Sequence, residues 1–265
     1  MVRGREPGEG ILCGLLKRIT RIGSDRSNAQ IERFIFVACS QGVLYAPIEG
    51  VTPRAEDLQR RGIPVVLVDR AGKYTNFCSV SVDDVEGGRL AASHLLDLGH
   101  ERIAVVGGPS SLQQVQDRRL GAELALGARR SDALLLHVST AALDIASGVA
   151  AAGELAGLPD AERPTAVFAL NDLLAIGVLQ GCVTHGLRVP DDVAIVGYDD
   201  ILFAAAAAVP LSSVRQPRAR LGRRAAELLF DEVAALDEGR PHTHEHVQFA
   251  PELVVRRSSQ PDHPV

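Results

Sequence analysis

Ala166-Val-Phe-Ala-Leu170 runs directly into Asn171-Asp172, and one helix-length segment later Val193-Ala-Ile-Val196 runs directly into Gly197-Tyr198-Asp199-Asp200. Both are short apolar runs of strand length, each ended by residues that hydrogen-bond. In an open parallel α/β sheet the carboxyl ends of neighbouring strands form the crevice where ligands bind, because backbone and side-chain polar groups converge there. The two stretches together predict a doubly wound sheet that holds a small polar molecule at its strand ends.

Working outward, the same alternation recurs on both sides. From about Gly42, the apolar run Val43 to Ile48, the helix-compatible Pro53 to Arg61 and the run Ile63 to Val68 follow one another. Short Val/Ile/Leu runs alternating with helical segments indicate βαβ units and a sheet covered on both faces. Ser79 to Val82 predicts a strand, Asp83-Asp84 a cap, and Val85 to Leu98 a helix stopped by Gly99. Ile103 to Val106 is the next strand, closed by Gly107-Gly108-Pro109, and Gln113 to Leu126 is a helix carrying Arg118 near its start. Leu134 to Val138 predicts a strand, Ala142 to Ala156 an alanine-rich helix, and Leu173 to His185 a helix ended by Gly186. After Asp200 come the small apolar run Leu202 to Val209, a strand at Leu211 to Val214, a helix from Pro217 to Asp237 and a last strand, Val247 to Arg256. The first forty residues stand apart. Glycines interrupt Ile11 to Leu16, and Arg26 to Ala38 shows only a weak helical period.

Composition narrows the function. The chain has 265 residues, 46% hydrophobic and 23% charged, enough to bury the core of one large domain or two smaller ones. Lys and Arg total 28 against 33 Asp and Glu, so the whole chain offers no electrostatic attraction for nucleic acid. Cys13, Cys39, Cys78 and Cys182 lie far apart without CxxC spacing, which predicts reduced thiols rather than a zinc knuckle or a disulfide framework. Arg3 and Arg5 are followed by Glu6-Pro-Gly-Glu-Gly10 instead of an apolar signal core, and no apolar run is long enough to span a bilayer, so a cytoplasmic location is expected.

Enzyme signatures are scarce. No GxSxG elbow, P-loop or GxGxxG occurs, and Gly107 to Ser111 is too loose for a nucleotide loop. His242-Thr-His-Glu-His246 puts three imidazoles at period two, a spacing that on a strand shares one face and can bind zinc. Without a fourth ligand in sight, and beside Gly239 and Pro241, the stretch reads as an exposed connector. No metal site, no cofactor and no catalytic residue are expected.

In their order and spacing, Val65 to Arg70, Asp84 to His100, Ile103 to Pro109, Arg118-Arg-Leu-Gly121, Ala169 to Gly177, Val193 to Asp200 and Pro210 to Pro217 resemble the regulatory core of the lac repressor type (LacI/GalR) transcription regulators. The resemblance spans roughly residues 42–258. It implies a two-lobed α/β core of the periplasmic-binding-protein type with parallel sheets and an effector, a sugar or purine-like metabolite, in the cleft between lobes. One lobe would hold residues 1–98 and 217–239, with 1–41 degenerate; the other would hold 99–214 and 245–258.

Carried over by position, the resemblance implies that Arg118, Asn171 and Asp199 contact the effector, with Asp69 and Arg70 as weaker contacts from the first lobe. A guanidinium fork suits two ligand acceptors, an amide can donate and accept, and a carboxylate accepts from hydroxyls. Taken singly, each residue also has an ordinary use: Arg118 on a solvated helix face, Asn171 as a helix cap, Asp199 in a turn. The family's dimer surface corresponds to Leu173 to His185 and Leu202 to Val209, so a homodimer is implied. The family's helix-turn-helix, hinge and first core strand have no counterpart here, which suggests a truncated or frameshifted descendant or a misplaced start, and direct contact with DNA only if a helix-turn-helix lies upstream. The rival readings are a periplasmic-type sugar-binding protein without its signal peptide and a non-functional remnant.

Overall fold

The computed structural model describes residues 34–35, 42–47, 53–69, 76–129 and 133–260. In chain order the elements are β1 (Phe34–Ile35), β2 (Val43–Tyr45), α1 (Pro53–Arg60), β3 (Val65–Val68), β4 (Cys78–Val82), α2 (Asp84–Asp97), β5 (Arg102–Val106), α3 (Gln113–Arg129), β6 (Leu134–Val138), α4 (Ile145–Ala156), β7 (Ala166–Ala169), α5 (Asp172–Thr184), β8 (Ala194–Asp199), α6 (Leu202–Ala206), β9 (Ser212–Arg215), α7 (Arg218–Asp237), β10 (His246–Phe249) and β11 (Glu252–Val254). The chain divides into two units. The first is Met1–Val82 with Arg218–Phe249, and the second is Asp83–Pro217 with Ala250–Val265.

The second unit is built on a sheet in the order β11-β9-β8-β7-β5-β6, parallel except for β11, which runs antiparallel to β9. Counted from β5, its five parallel strands run 2-1-3-4-5, the doubly wound order whose direction of winding reverses between the first and third strands. Alternation along each strand sorts side chains to two faces. Ile103, Val105, Phe168, Val196 and Tyr198 point to a core shared with α2 and α3, while Ala104, Val106, Val167, Ala169 and Ile195 point to a core shared with α4 and α5. Each fully buried Val, Leu, Ile or Phe contributes about 1.5–3 kcal/mol of transfer free energy, so the two cores dominate the stability of the unit.

Each face is covered by a pair of helices that meet backbone to backbone. A Cβ on Gly88 would fall 2.0 Å from the Arg118 carbonyl oxygen, and one on Gly121 would fall 2.0 Å from that of Val85. The pair α4 and α5 repeats the device: a Cβ on Gly148 would meet the Leu174 oxygen at 2.3 Å, and one on Gly177 the Ile145 oxygen at 2.2 Å. No side chain larger than hydrogen fits at these crossings.

The first unit carries the sheet β1-β2-β3-β4-β10, parallel except for β1 against β2. One face packs Val66, Val80 and Val82 against Leu221, Ala225, Leu228 and Leu229 of α7; the other packs Tyr45, Val65 and Leu67 with Ala55 of α1 and with Phe77.

Local signals place most boundaries. Asp83, Asp144 and Asn171 cap their helices, accepting from the amides of Glu86, Ser147 and Leu174 at 2.8–2.9 Å. Gly99 and Gly186 stop theirs at φ of 85° and 72°. The cap at Asp144 starts α4 three residues later than the expected Ala142.

Three expectations change. The helix Val85 to Leu98 belongs to the second unit, so the first boundary falls at residue 83 rather than 98; its glycine crossing with α3 decides this. The expected single strand Val247 to Arg256 is two strands in two sheets, because Pro251, which has no amide hydrogen to give a ladder, interrupts it. Of the weakly helical Arg26 to Ala38, Phe34–Ile35 is a strand, its hydrogen bonds supplied by β2. Residues 1–33 and 36–41, where the degenerate start is expected, lie outside the described residues.

Candidate functional site

The site forms where the winding of the second sheet reverses, at the carboxyl ends of β5 and β7. Two consecutive arginines of α3 close this point. The Arg119 Nη2 donates to the Gly107 oxygen just past β5 at 2.7 Å, and the Arg118 Nη1 donates to the Leu170 oxygen just past β7 at 2.6 Å. Arg118 is only 5% exposed. Its Nε donates to Asp84 Oδ1 at 2.8 Å, and its guanidinium lies over the Tyr198 ring, 3.7 Å from the centroid. Burial opposes the charge, but Asp84 and then Asp199 outweigh it, so the Arg118 pKa stands above its ordinary value. The guanidinium is a fixed cation.

Asp199 ends β8 with φ of 100°, a left-handed conformation that turns the chain out of the strand. Its Oδ1 accepts from Gln216 Nε2 at 2.7 Å and lies 3.9 Å from Arg118 Nη2. That gap is too long for a direct hydrogen bond. Arg118 and Asp199 therefore stand side by side, donor edge and acceptor, without closing on each other.

Asn171 follows Leu170, whose oxygen accepts from Arg118, and is committed to structure. Its Oδ1 caps α5 and its Nδ2 donates to the Leu143 oxygen at 3.0 Å, tying the loop before α4 to the end of β7. The capping use weighed for this residue is the one the geometry displays. Asp69 follows β3 in the first unit with φ of 62°, its amide donating to the Val80 oxygen at 2.8 Å. Arg70 lies outside the described residues.

The sequence does not single out two participants, Asp84 and Tyr198. The sequence pairs Asp84 with Asp83 as a cap; Asp83 caps, while Asp84 holds Arg118. Tyr198, part of the opening stretch, is the platform beneath the guanidinium, and its hydroxyl reaches α2 where Gly87 leaves room for it. Asp172 is fully buried and accepts from Ser213 Oγ at 2.7 Å and from the Ile201 amide at 2.8 Å. Burial raises its pKa to about 7. Asp200 differs again: burial works against its charge, but Arg256 Nη1 at 2.7 Å and Arg215 Nε at 2.6 Å hold its pKa below the usual carboxylate range. Three neighbouring carboxylates thus have three uses: Asp199 beside Arg118, Asp172 tying the start of α5 to β9 and to the amide before α6, and Asp200 holding Arg215 of β9 and Arg256 just past β11.

In the same unit, Val183, Leu202 and Phe203 are exposed at 69%, 80% and 67%. Among the described residues no helix is long and apolar enough to cross a membrane.

Residues 92–259 match the family model for a periplasmic binding protein-like domain. The chain belongs to this family, in the branch formed by the effector-binding cores of LacI-type transcription regulators. It is 33% identical over 196 residues to the HTH-type transcriptional repressor PurR of Haemophilus influenzae (strain PittEE), covering 74% of this chain and 57% of that protein, so it spans little more than half the length of the curated relative. Among solved structures it is similar to the transcriptional regulator CelR in its cellobiose complex, with a TM-score of 0.71 and 33% identity over 83% of this chain and 66% of that one. It is also similar to a LacI family transcriptional regulator of Enterococcus faecalis V583 with bound ribose, with a TM-score of 0.72 and 26% identity over 83% and 78% of the two chains. The relatives are named as regulators of transcription, not as enzymes.

Proposed function

We propose that this chain is the effector-sensing core of a LacI-type regulator and that it binds a sugar or a related small polar metabolite without transforming it. The observation that carries the reading is the 3.9 Å separation between Arg118 Nη2 and Asp199 Oδ1 at the reversal point of the sheet. A single hydroxyl placed between them accepts from the guanidinium and donates to the carboxylate, the pairing a polyol supplies. Asp84, Leu170 and Tyr198 hold the arginine in advance, so binding a ligand costs little ordering of that side chain. Asp69 and Arg70, from the first unit, are proposed as further contacts, and Asn171 as the residue that keeps the β7 end in shape rather than as a principal ligand contact.

Cytoplasmic action, a homodimer formed through α5 and α6, and a link from effector to operator follow from the same reading. In a regulator of this kind the effector acts by differential affinity for two arrangements of the protein. The test is thermal denaturation of the purified chain with ribose, cellobiose, further pentoses and hexoses, and purines, followed by calorimetry on any that respond. A ligand that binds only the folded state raises the melting temperature. The expected result is a response to at least one polyol that Asp199→Asn removes while the unliganded melt stays cooperative. A cooperative melt with no response across the panel overturns the proposal.

A further inference from the structure

The motif His242-Thr-His-Glu-His246 lacks a fourth ligand in sequence, and the fold of the first unit supplies two. In the segment before β10 burial alternates, His242 and His244 being partly buried and Thr243 and Glu245 exposed. The partly buried pair meets Cys78, the first residue of β4: its Sγ lies 3.2 Å from His242 Nε2 and 3.8 Å from His244 Nδ1. Glu232 approaches from α7, its Oε2 4.0 Å from His242 Nε2. One ligand atom from each of the four residues lies within 4.8 Å of every other. His246, the third imidazole, hydrogen-bonds Ser79 Oγ instead, at 3.0 Å.

We propose that Cys78, Glu232, His242 and His244 form a zinc(II) site. Thiolate, two imidazoles and a carboxylate are the donors that zinc takes, and the sulfur and nitrogens exclude calcium and magnesium. Metal–ligand bonds of about 2.0–2.3 Å in a tetrahedron put ligand atoms about 3.3–3.6 Å apart, within reach of the observed separations by small side-chain rotations. Charge balances as well: one thiolate and one carboxylate neutralise the dication, and both histidines bind neutral.

The surroundings of Glu232 favour a cation. Glu232 sits on the stripe by which α7 packs into the core, among Leu228, Leu229 and Ala235, and its Oε2 is buried with no hydrogen-bond partner among the described residues. A buried carboxyl oxygen left unpaired is costly, and a metal bond removes that cost. Zinc takes Cys78 as thiolate and Glu232 as carboxylate. The Glu245 amide, 3.4 Å from the Cys78 sulfur, donates to it and supports a thiolate there. Four protein ligands close the coordination sphere, which marks a structural site. The ion would join β4, α7 and the connector between α7 and β10 at one point.

The experiment uses untagged chain, reduced with a phosphine, stripped with chelator and dialysed against zinc, with metal measured by mass spectrometry and affinity by competition with a chromophoric chelator. Cobalt(II) is the spectroscopic probe. The expected result is one zinc per chain, a rise in melting temperature with zinc, and a thiolate-to-cobalt charge-transfer band with tetrahedral d–d absorption. Since loss of a mere outer-sphere partner costs about 10–100-fold in affinity, Cys78→Ser, His244→Gln and Glu232→Gln should each weaken zinc by at least about tenfold, Cys78→Ser abolishing the charge-transfer band and His246→Gln changing nothing. Glu232→Gln is isosteric and keeps the metal-free fold, so the test survives if the cysteine variant unfolds. Substoichiometric zinc in the wild type, cobalt without a charge-transfer band, or affinity unchanged in Glu232→Gln overturns the proposal.

Discussion

The guanidinium carbon of Arg118 lies over the ring of Tyr198, 3.7 Å from its centroid, so a residue of α3 and a residue of β8 hold each other at the end of the sheet. Asp84 closes the third side from α2. The cation is thus fixed by three elements before any ligand arrives, and its loss leaves a buried carboxylate behind.

Replacing Arg118 with Met should therefore destabilise the chain by about 3–5 kcal/mol, because Asp84 is left buried without its counter-ion. Asp84→Asn in the same chain should restore part of that loss, as measured by urea unfolding. Equal stability of Arg118→Met and the double variant would show that Asp84 is not left as a costly unpaired charge.

Glycines give a contrast within one chain. Gly88→Ala sets a methyl against the Arg118 carbonyl and should cost about 1–3 kcal/mol or more, since backbone cannot yield as a side-chain end does. Gly222→Ala, on α7 with nothing within 4 Å of the new methyl, should stabilise by about 0.4–1 kcal/mol. Thermal melts of the two variants should move in opposite directions.

Asp172 makes stability depend on pH. Its folded pKa, about 7, lies above the ordinary carboxylate value, so the folded state binds the proton more tightly than the unfolded chain. Its contribution is full below about pH 4 and is lost as pH rises through about 7. Asp172→Asn keeps the shape, with its oxygen accepting from the Ile201 amide and its nitrogen donating to Ser213. The variant should lose less stability than the wild type between pH 4 and pH 7; an unchanged slope in denaturant titrations would mean that Asp172 does not titrate there.

Leu202 and Phe203, both exposed on α6, test the proposed homodimer. Changing both to Asp should convert a dimer into a monomer at tens of micromolar in sedimentation velocity, with the melt of the single chain little altered. A wild-type monomer under those conditions would remove the dimer from the reading.

Much of the fold was legible because its signals are local. The strands Ile103 to Val106, Leu134 to Val138 and Ala166 to Leu170 announce themselves as apolar runs between caps and glycines, and such runs can hardly be buried in another way. The boundary between units was not legible. The helix after Asp83-Asp84 reads the same whichever sheet it covers, and what assigns it is the crossing at which Gly88 meets Arg118 and Gly121 meets Val85, residues remote from one another in the chain. The site divided likewise. Arg118 and Asp199 stood out by position in a family pattern, while Asp84, which makes the arginine a fixed donor, carried only the signature of a helix start.

The sequence by itself determined the doubly wound α/β class, the strand ends that present Leu170 and Asp199, and the histidines at period two, because each follows from periodicity, capping and alternation over a few residues. Only the tertiary structure decided which of three neighbouring carboxylates faces Arg118 and which two lock the chain, and that Cys78 and Glu232 come to His242 and His244. Those outcomes depend on distances between residues remote in sequence. Packing sets such distances, and no local pattern encodes them.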